Sequence, residues 1–379
     1  MRVAVVAESF LPQVNGVANS VRHLVDQLVA RGHEALIIAP GPGETTYGSI
    51  PVVRVRSFPF PIYRDLPLGL PDASVRRAIT EFAPDVVHLA SPIVVGMSGL
   101  RAAERLGIPT VAIYQTDIVG FGHQYGLVGI DRTVWAWTRR LYSRAGRTLA
   151  PSSAAAAQLS AIRVPRVHLW QRGVDLRQFR PSRRSPALRA SLAPNGEVLV
   201  GYVGRVAMEK RVHLLRHLAD LPGTRLVIVG DGPELEEVRR LAPSSVSLGM
   251  LHGAELAAAV ASLDVFVHTG AHETFCQAAQ EALASGVPVV APGAGGLLDL
   301  VTPGETGFLF DPAESAVGVA ELRAGVQTLA ENPVLRRAMG QAARMSVLER
   351  GWERIIDQLV NVHYRAVMRP AASRDTVAA

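Results

Sequence analysis

The sequence predicts an α/β fold with two Rossmann-like domains, each built on a doubly wound parallel sheet. Three observations predict it. The chain has 379 residues, more than one hydrophobic core usually supports. Short apolar runs without polar alternation alternate with longer helical patterns, which is typical of parallel βαβ units covered on both faces. The alternation restarts after residues 173–194, a stretch without clean periodicity, so a second domain follows the first.

The first series of elements begins at the amino terminus. A strand is predicted first, then a helix and another strand, with two further strands later in the series. These runs are Val3–Ala7, Val17–Arg31, Ala35–Ala39, Val86–Leu89 and Thr110–Tyr114. Ligands of open α/β sheets bind beyond the carboxyl ends of the strands, so the residues directly after each strand are the candidates for function.

The second series opens at Val198 and is followed by a closing helical pattern. Its strands are predicted at Val198–Val203, Leu226–Val229, Val265–His268 and Val287–Val290. The apolar face of the closing pattern, from Trp352 to Val367, consists of Ile355, Ile356, Leu359, Val360 and Val362. We expect residues 1–171 to form the first domain and residues 172–351 the second, with the closing helix, 352–379, packing back on the first.

Composition limits the classes of function. The single cysteine, Cys276, excludes intrachain disulfides and multi-cysteine metal sites, and it agrees with a reducing compartment. The formal charge of +6 favours anionic partners such as nucleotides, acidic lipids or nucleic acid. The longest apolar runs are strand-sized, and the amino terminus lacks the zones of a secretory signal. We therefore expect a cytoplasmic protein.

Lys210 is the only lysine among 39 basic side chains. It lies shortly after Gly204 and Arg205 and directly after Glu209. Arg and Lys differ in donor geometry and hydration, so one Lys in an Arg-rich chain indicates a position that requires an ammonium. Arg205, as a planar fork, and Lys210, as a point charge, can converge on one diphosphate. The alternatives are chance and a solvated basic helix start.

Glycines that follow strands give further candidates. Asn15 and Gly16 precede the first helix, whose free N–H groups and dipole favour a phosphate, although a simple tight turn is the alternative. Gly230 and Asp231 follow a strand of the second series. Such a turn brings backbone near a base or ribose, but many βα connections share it. The glycine-rich loop 293–296 also indicates close backbone approach.

Two carboxylates eight residues apart form the most specific element of the sequence. Glu273 is expected at the mouth of a helix and Glu281 inside it on a similar face, so one ligand can touch both. Carboxylates accept hydrogen bonds from sugar hydroxyls, and the first-turn amides of Phe275, Cys276 and Gln277 can face a phosphate. The alternative is an ordinary helix with an acidic first turn and an exposed second Glu.

Polar residues also follow a strand of the first domain. Gln115 and Asp117 come directly after the run that ends at Tyr114, and His123 lies in the polar, glycine-containing segment beyond them. Asp117 and His123 suit acid or base roles. A turn or surface position is the more common place for a single Asp or His in a loop.

In their order along the chain, these motifs resemble glycosyltransferase family 4 (GT4), a group of retaining enzymes with the GT-B fold of two domains facing across a cleft. The segments that carry the resemblance are Asn15-Gly16, Gly204-Arg205, Glu209-Lys210, Gly230-Asp231-Gly232-Pro233, Glu273 to Glu281, and Ala284 to Val289. The resemblance implies that Arg205 and Lys210 hold the donor diphosphate. It also implies that Glu273 holds the donor sugar, Glu281 holds the ribose, and Gly16 borders the pyrophosphate.

The segments Tyr114 to Asp117, Arg172 to Asp175 and His272 to Phe275 give a closer resemblance. Through them the chain is, within GT4, most similar to actinobacterial GDP-mannose-dependent mannosyltransferases of glycolipid synthesis. The resemblance implies a nucleotide sugar, GDP-mannose, as the donor substrate, with no tightly bound cofactor. It requires no divalent metal, and we find no DxD motif after a strand. Two positions depart from the family: Gln115 stands where many members have His, and Cys276 where Gly is common. Gln115 can hydrogen-bond a sugar hydroxyl but cannot act as a base.

A lipid-linked acceptor fits two basic, aromatic stretches of the first domain, residues 58–70 and 132–147. Such mixtures suit peripheral contact with an anionic membrane, here the inner face of the plasma membrane. An ordinary amphipathic helix that packs Val134, Trp137 and Leu141 inward is the alternative.

Other functions remain open from the residues alone. A UDP-sugar donor with a soluble acceptor is one. A dinucleotide oxidoreductase is disfavoured because no GxGxxG follows the first strand. A non-catalytic binder of nucleotide sugars or nucleic acid also fits the charge, but the basic tracts and stacked aromatics of nucleic-acid modules are sparse, so we expect no nucleic-acid partner.

Overall fold

The first series of elements folds into a largely parallel sheet. The computed structural model describes residues 1–13, 15–60, 63–70, 72–117, 119–120, 129 and 131–368. The strands are β1 (Arg2–Ala7), β2 (Glu34–Pro40), β3 (Thr46–Tyr47), β4 (Ile50–Val55), β5 (Ser57–Phe60), β6 (Tyr63–Gly69), β7 (Val86–Ala90), β8 (Thr110–Ile113), β9 (Arg147–Ala150) and β10 (Val167–Leu169). Within those ranges, eight strands pair in the order β10–β9–β8–β7–β1–β2–β4–β3, and all neighbours are parallel except β3 and β4. A separate antiparallel hairpin joins β5 and β6.

Helices cover both faces of this sheet. They are α1 (Gly16–Ala30), α2 (Ala73–Phe82), α3 (Val95–Leu106), α4 (Asp131–Arg144) and α5 (Ser153–Ala161). Alternate strand residues point to opposite faces, so β1 supplies Val3 and Val5 to one apolar core and Ala4 and Val6 to the other. Helix α1 packs on the first core, and α2 and α3 pack on the second. Both faces of the sheet are therefore buried, as a parallel sheet requires.

The second series folds into a second parallel sheet. Its strands are β11 (Val198–Val203), β12 (Thr224–Val229), β13 (Val246–Gly249), β14 (Val265–Val267), β15 (Val289–Pro292) and β16 (Gly307–Phe310). Their spatial order, β13–β12–β11–β14–β15–β16, is that of a dinucleotide-binding doubly wound sheet. Its helices are α6 (Pro186–Leu192), α7 (Leu235–Leu241), α8 (Gly253–Ser262), α9 (Gln277–Ala284), α10 (Ala316–Glu331) and α11 (Pro333–Ser346). The predicted fold of two Rossmann-like parallel-sheet units is confirmed.

The strand order reverses at one point in each sheet. The reversal lies between β1 and β7 in the first sheet and between β11 and β14 in the second. Side chains that follow these strands at their carboxyl ends surround a crevice at each switch point. In the second sheet, Arg205 and Lys210 follow β11, and Glu273 follows β14.

The chain returns to the first sheet at its end. The closing elements are α12 (Trp352–Gln358), a π-helical turn (Leu359–Tyr364) and α13 (Arg365–Met368). They pack on the same core as α1. The prediction of one regular helix with Val362 on its apolar face is wrong, because a π-helical turn holds more residues than an α-helical one and shifts the phase of the face. Val362 is 51% exposed, whereas His363 and Tyr364 are buried.

Helix α4 illustrates how one element divides its two faces. Leu141 is fully buried and Trp137 packs partly buried against the second core. Arg132, Arg139 and Arg140 on the same helix are exposed. Within the described ranges, every helix is too short or too polar to cross a lipid bilayer.

Candidate active site

The switch point of the second sheet brings together the chain's only lysine and a partly buried glutamate. The Nζ atom of Lys210 lies 2.5 Å from Oε1 of Glu273, although the two residues are 63 positions apart in the sequence. The Nε2 atom of His268 lies 3.0 Å from the same oxygen. Lys210 is held in place by its own backbone, because its carbonyl accepts a hydrogen bond from Thr269 Oγ1 at 2.6 Å. The loops after β11 and β14 therefore form one charged cluster.

Burial and charge act against each other in this cluster. Burial alone raises the pKa of Glu273, but Lys210 and His268 hold that pKa well below its ordinary value. Burial alone lowers the pKa of His268, but Cys276 and Glu273 raise it to about 9. Burial also disfavours the charge of Lys210, but Glu273 brings its pKa above the usual range. Glu273 is an anion and Lys210 a cation near neutral pH.

Arg205 lies in the same loop as Lys210. Its Nη1 atom lies 3.4 Å from Glu209 Oε1, and its carbonyl accepts a hydrogen bond from the Tyr202 hydroxyl at 2.7 Å. Tyr202 is fully buried, so this bond ties the loop to the core. Each of the two predicted diphosphate cations thus contacts a carboxylate of the protein itself.

A buried arginine that our sequence reasoning gave no role connects the two halves of the molecule. Arg172 is 7% exposed, and its guanidinium donates a hydrogen bond to the carbonyl of Gly16. Burial lowers the pKa of Arg172 to about 10. The negative charges of Glu281 and Glu273 oppose this effect, and that of Glu281 is the stronger. Burial raises the pKa of Glu281 to about 7, against the opposing effects of Gln277 and Arg172. Arg172 therefore relates the predicted Gly16 site to both predicted glutamates. The sequence signal for it is the segment Arg172 to Asp175, which carries part of the resemblance to the mannosyltransferases.

The helix that follows Glu273 begins later than predicted. It starts at Gln277, so Glu273 lies in the preceding loop and only Glu281 is helical. Phe275 packs into the core at 1% exposure, and Cys276 has a φ of 74°, in the left-handed region. The prediction that the amides of Phe275 and Cys276 belong to the first helical turn is wrong, because the left-handed residue interrupts the helical path.

Two neighbouring glycines, Gly295 and Gly296, contact the backbone of the loop that carries Glu273. The amide of Gly296 donates to the carbonyl of Glu273 at 2.7 Å. A Cβ atom on Gly295 would lie 2.3 Å from that same carbonyl oxygen. The close approach predicted for loop 293–296 is thus an approach to the protein's own backbone, and it fixes the position of Glu273.

The predicted glycines of the β11 and β12 loops also meet each other. A Cβ atom on Gly230, whose φ is 138°, would lie 1.9 Å from the carbonyl oxygen of Gly204. The side chain of Asp231 is exposed and accepts a hydrogen bond from the Gly232 amide at 2.7 Å. Gly230 therefore allows the two loops to touch, and Asp231 stabilises the turn at the edge of the site.

Asn15 caps the helix at the first-sheet side of the site. Its Oδ1 atom accepts hydrogen bonds from the amides of Val17 and Ala18, each at 3.0 Å. Two of the N–H groups that we predicted to be free for a phosphate are therefore already bonded to the cap. The remaining feature of this loop is the contact of Gly16 with Arg172.

The predicted acceptor-side residue Gln115 is in contact with the Glu273 loop. The hydroxyl of Thr274 donates to the carbonyl of Gln115 at 2.8 Å, which joins the two halves. The Gln115 Oε1 atom is buried and has no hydrogen-bond partner among the described residues. Asp117 accepts hydrogen bonds from the Gly120 amide at 2.9 Å and from Gln158 at 3.3 Å. His123 lies outside the described residues.

The comparisons with known proteins agree with this architecture. Residues 14–178 match the family model described as Glycosyltransferase Family 4, and residues 185–346 match the one described as Glycosyl transferases group 1. A GDP-mannose-dependent alpha-mannosyltransferase of Mycolicibacterium smegmatis is 50% identical over 97% of this chain and 98% of its own length. A GDP-mannose-dependent alpha-(1-6)-phosphatidylinositol dimannoside mannosyltransferase of Mycobacterium tuberculosis is 27% identical over 93% of each chain.

Solved structures show the same fold. The crystal structure of HepE from Anabaena in complex with UDP superposes with a TM-score of 0.78 and 23% identity, over 96% of this chain and 100% of that one. At this level of sequence identity, the similarity establishes the fold of two Rossmann-like units and nothing about the ligand.

Proposed function

Because the chain belongs to glycosyltransferase family 4, we propose that it transfers mannose from GDP-mannose to a lipid-linked acceptor with retention of the anomeric configuration. The observation that carries the proposal is the contact of Lys210 with Glu273 at the switch point. The charges of Glu273 and Glu281 also act on Arg172. This arrangement offers cations for a diphosphate and carboxylates for sugar hydroxyls within one cleft. The 50% identical mannosyltransferase supports the choice of donor.

In the proposed donor complex, Arg205 and Lys210 take the two phosphates, and Glu273 accepts hydrogen bonds from the mannose hydroxyls. Glu281 accepts a hydrogen bond from the ribose, next to Gly204, Gly230, Asp231 and the Phe275–Gln277 amides. On the first-sheet side, Asn15 and Gly16 border the pyrophosphate, and Arg172 holds Gly16 in position. The unpartnered Oε1 atom of Gln115 supports a contact with a sugar hydroxyl, since a buried acceptor without a donor costs free energy.

The proposed transfer breaks the bond between the mannose anomeric carbon and the phosphate oxygen. The acceptor hydroxyl forms its bond to that carbon on the same face, and its proton passes to the leaving phosphate oxygen. Positive side chains at fixed positions stabilise the charge that develops on the phosphate. Lys210 and Arg205 supply this charge, so the proposal requires no divalent metal, and EDTA should leave the rate unchanged.

The proposed acceptor is a lipid headgroup presented at a membrane surface. The exposed arginines of α4 and the lipid-linked acceptor in the name of the phosphatidylinositol dimannoside enzyme support this class. Clustered basic side chains attract anionic lipids by about 1 kcal/mol each. Sedimentation with anionic vesicles tests the contact: the wild type should pellet, and a variant carrying Arg139→Glu and Arg140→Glu should remain in the supernatant. Equal recovery of both in the supernatant would argue against membrane association.

We further propose that the acceptor unit comprises residues 1–171 with the closing helix, and that residues 172–351 form the donor unit. The apolar cores support this division, since one core joins β1, α1 and the closing elements, and another lies between Val174 and Val347.

Donor specificity is the decisive experiment. A ligand that binds the native state raises the melting temperature, so GDP-mannose should raise it more than UDP-glucose or ADP-glucose at equal concentration. Proton NMR of the product should show an α-linked mannoside. A larger shift with a UDP- or ADP-sugar, or a β-linked product, would contradict the proposal.

A further inference from the structure

Three metal-ligating side chains meet beside Lys210. His268, Glu273 and Cys276 each place one ligand atom within 4.8 Å of the others. We propose that a borderline-soft divalent ion, Zn²⁺, binds these three side chains and reversibly blocks the donor site. The inhibitory consequence rests on the proposed function, whereas the binding site itself rests only on the geometry of the three side chains.

The chemistry of the ligand set selects zinc. Imidazole, thiolate and carboxylate are the three side-chain ligand types that Zn²⁺ uses, and sites with three protein ligands keep a fourth position for water. Mg²⁺ and Ca²⁺ prefer oxygen ligands alone, so the thiol and the imidazole disfavour them. The ligands are close in sequence, at the end of β14, in the following loop and directly before α9. A short segment therefore presents all three without a change of fold.

His268 has a nitrogen available to the cluster. Its ring is 3% exposed, and its Nδ1 atom has no hydrogen-bond partner within the part of the chain that the structure describes. Buried polar groups are usually paired, and Cys276 and Glu273 are the side chains that interact with this ring. The Nε2 atom faces Glu273 at 3.0 Å. One ring nitrogen of His268 thus belongs to the cluster as its ligand atom.

Cys276 occupies a position whose backbone favours glycine. Its φ of 74° lies in the left-handed region, where a side chain costs about 1–2 kcal/mol relative to glycine. It is the chain's only cysteine and is 6% exposed. A glycine at this position would form the same turn without the conformational cost. The cysteine therefore places a thiol beside His268 and Glu273 that the turn itself does not need.

The cluster is open to ions from the cleft. The side chains of Lys210 and Glu273 are 27% and 15% exposed, which provides an entry path. A bound Zn²⁺ takes the Glu273 carboxylate away from Lys210 and places a hydrated ion where the donor sugar is proposed to lie. Zinc and nucleotide sugar should therefore exclude each other.

Cobalt substitution tests the site without reference to activity. One equivalent of Co²⁺ added to the full-length chain should produce a thiolate-to-cobalt charge-transfer absorption together with the visible bands of a four-coordinate ion. Cys276→Ser removes the only thiol and should abolish the charge-transfer absorption. His268→Gln should weaken Co²⁺ binding by about tenfold to 100-fold. Far-ultraviolet circular dichroism establishes that both variants are folded.

The outcomes separate the possible readings. Absence of the charge-transfer absorption in the wild type would overturn the proposal, and so would unchanged affinity in His268→Gln, since the cysteine would then bind metal without its partners. GDP-mannose should reduce the cobalt absorption, and Zn²⁺ should inhibit transfer competitively with the donor until EDTA is added. Cobalt binding that GDP-mannose leaves unaffected would overturn the inhibitory role. If the protein shows the charge-transfer absorption but uses a donor other than GDP-mannose, the metal site is supported and only the proposed function is contradicted.

Discussion

The ammonium of Lys210 lies 2.5 Å from the carboxylate of Glu273. One partner comes from the loop after β11 and the other from the loop after β14, so the ion pair spans the switch point of the second sheet. In the proposed donor complex the diphosphate draws Lys210 toward itself, and Glu273 then keeps His268 as a partner.

Replacement of Lys210 by Ala should lower the turnover number by about 100-fold or more, because one preorganised charge that stabilises the leaving phosphate is lost. Lys210→Arg should restore only part of the rate, since the planar guanidinium differs from an ammonium in shape and hydration. Steady-state kinetics with saturating donor measures both effects. Arg183→Ala, an exposed basic residue of the same half, is the matched control. Normal turnover of Lys210→Ala would remove Lys210 from the proposed mechanism.

Glu281 should make stability depend on pH. Its pKa is about 7 in the folded chain, above the ordinary value of 4.5, because burial disfavours its charge. Between these values the folded protein keeps a proton that the unfolded chain has lost, so stability falls as the pH rises through this window and levels off above it. Glu281→Gln cannot ionise and should gain on the order of 2 kcal/mol relative to the wild type between about pH 5 and about pH 8.

Melting temperatures without ligand, measured across that range, test the pH dependence of Glu281. The exposed Glu305, changed to Gln, provides a control that should follow the wild-type curve. A constant difference between Glu281→Gln and the wild type at every pH would show that Glu281 does not titrate there.

The contact between Asp299 and Ser153 should hold the two halves together during donor binding. The Asp299 carboxylate accepts hydrogen bonds from the Ser153 amide at 2.7 Å and from the Ser153 hydroxyl, at the start of α5. Asp299 also ends the short helical turn that begins at Gly295, next to the Gly296 contact with Glu273. Asp299→Asn should weaken donor affinity by about threefold to tenfold, because a charge-assisted bond becomes a neutral one.

A double-mutant cycle with Ser153→Ala, read out by calorimetric titration with GDP-mannose, isolates this contact. The two effects should be less than additive, as expected for residues in direct contact. Strictly additive losses would mean that the two residues act separately.

Gly230→Ala should destabilise the second unit strongly. The added Cβ would lie 1.9 Å from the Gly204 carbonyl oxygen, so either loop must move. Gly249→Ala is a matched control, since Gly249 also has a positive φ, of 69°, but has no neighbouring atom within 4 Å of an added Cβ. We expect Gly230→Ala to lose at least about 2 kcal/mol more than Gly249→Ala in denaturant unfolding. Equal losses would show that conformation, not the contact with Gly204, limits the position.

The sequence allowed the strands that carry the site to be predicted, because buried parallel strands leave plain apolar runs. The runs at Val3–Ala7 and Val198–Val203 match β1 and β11 to within one residue. The spatial order of the strands then places Lys210 and Glu273 at one switch point without further information. The alternation of strands and helices predicts the parallel sheets, and the strand order seen in the structure brings these two residues together.

Other features of the site could not be predicted, because they depend on the conformation of single residues, which the periodicity of apolar residues does not indicate. Cys276 adopts a left-handed conformation that delays the start of α9, although its side chain favours no such state. Arg172 reaches the Gly16 carbonyl only in the assembled fold, where it is buried. The π-helical turn near Val362 shifts the apolar face by the insertion of one residue per turn.

The return of the closing helix to the first sheet has a consequence for synthesis. The amide of Val174 bonds to the carbonyl of Arg350 at 2.9 Å, so the chain leaves the first unit and re-enters it at neighbouring points. Every residue of the core that runs from Val174 to Val347 emerges from the ribosome before Trp352 and Ile356 do. Part of the apolar surface of the first unit therefore stays uncovered until Trp352 and Ile356 have been synthesised.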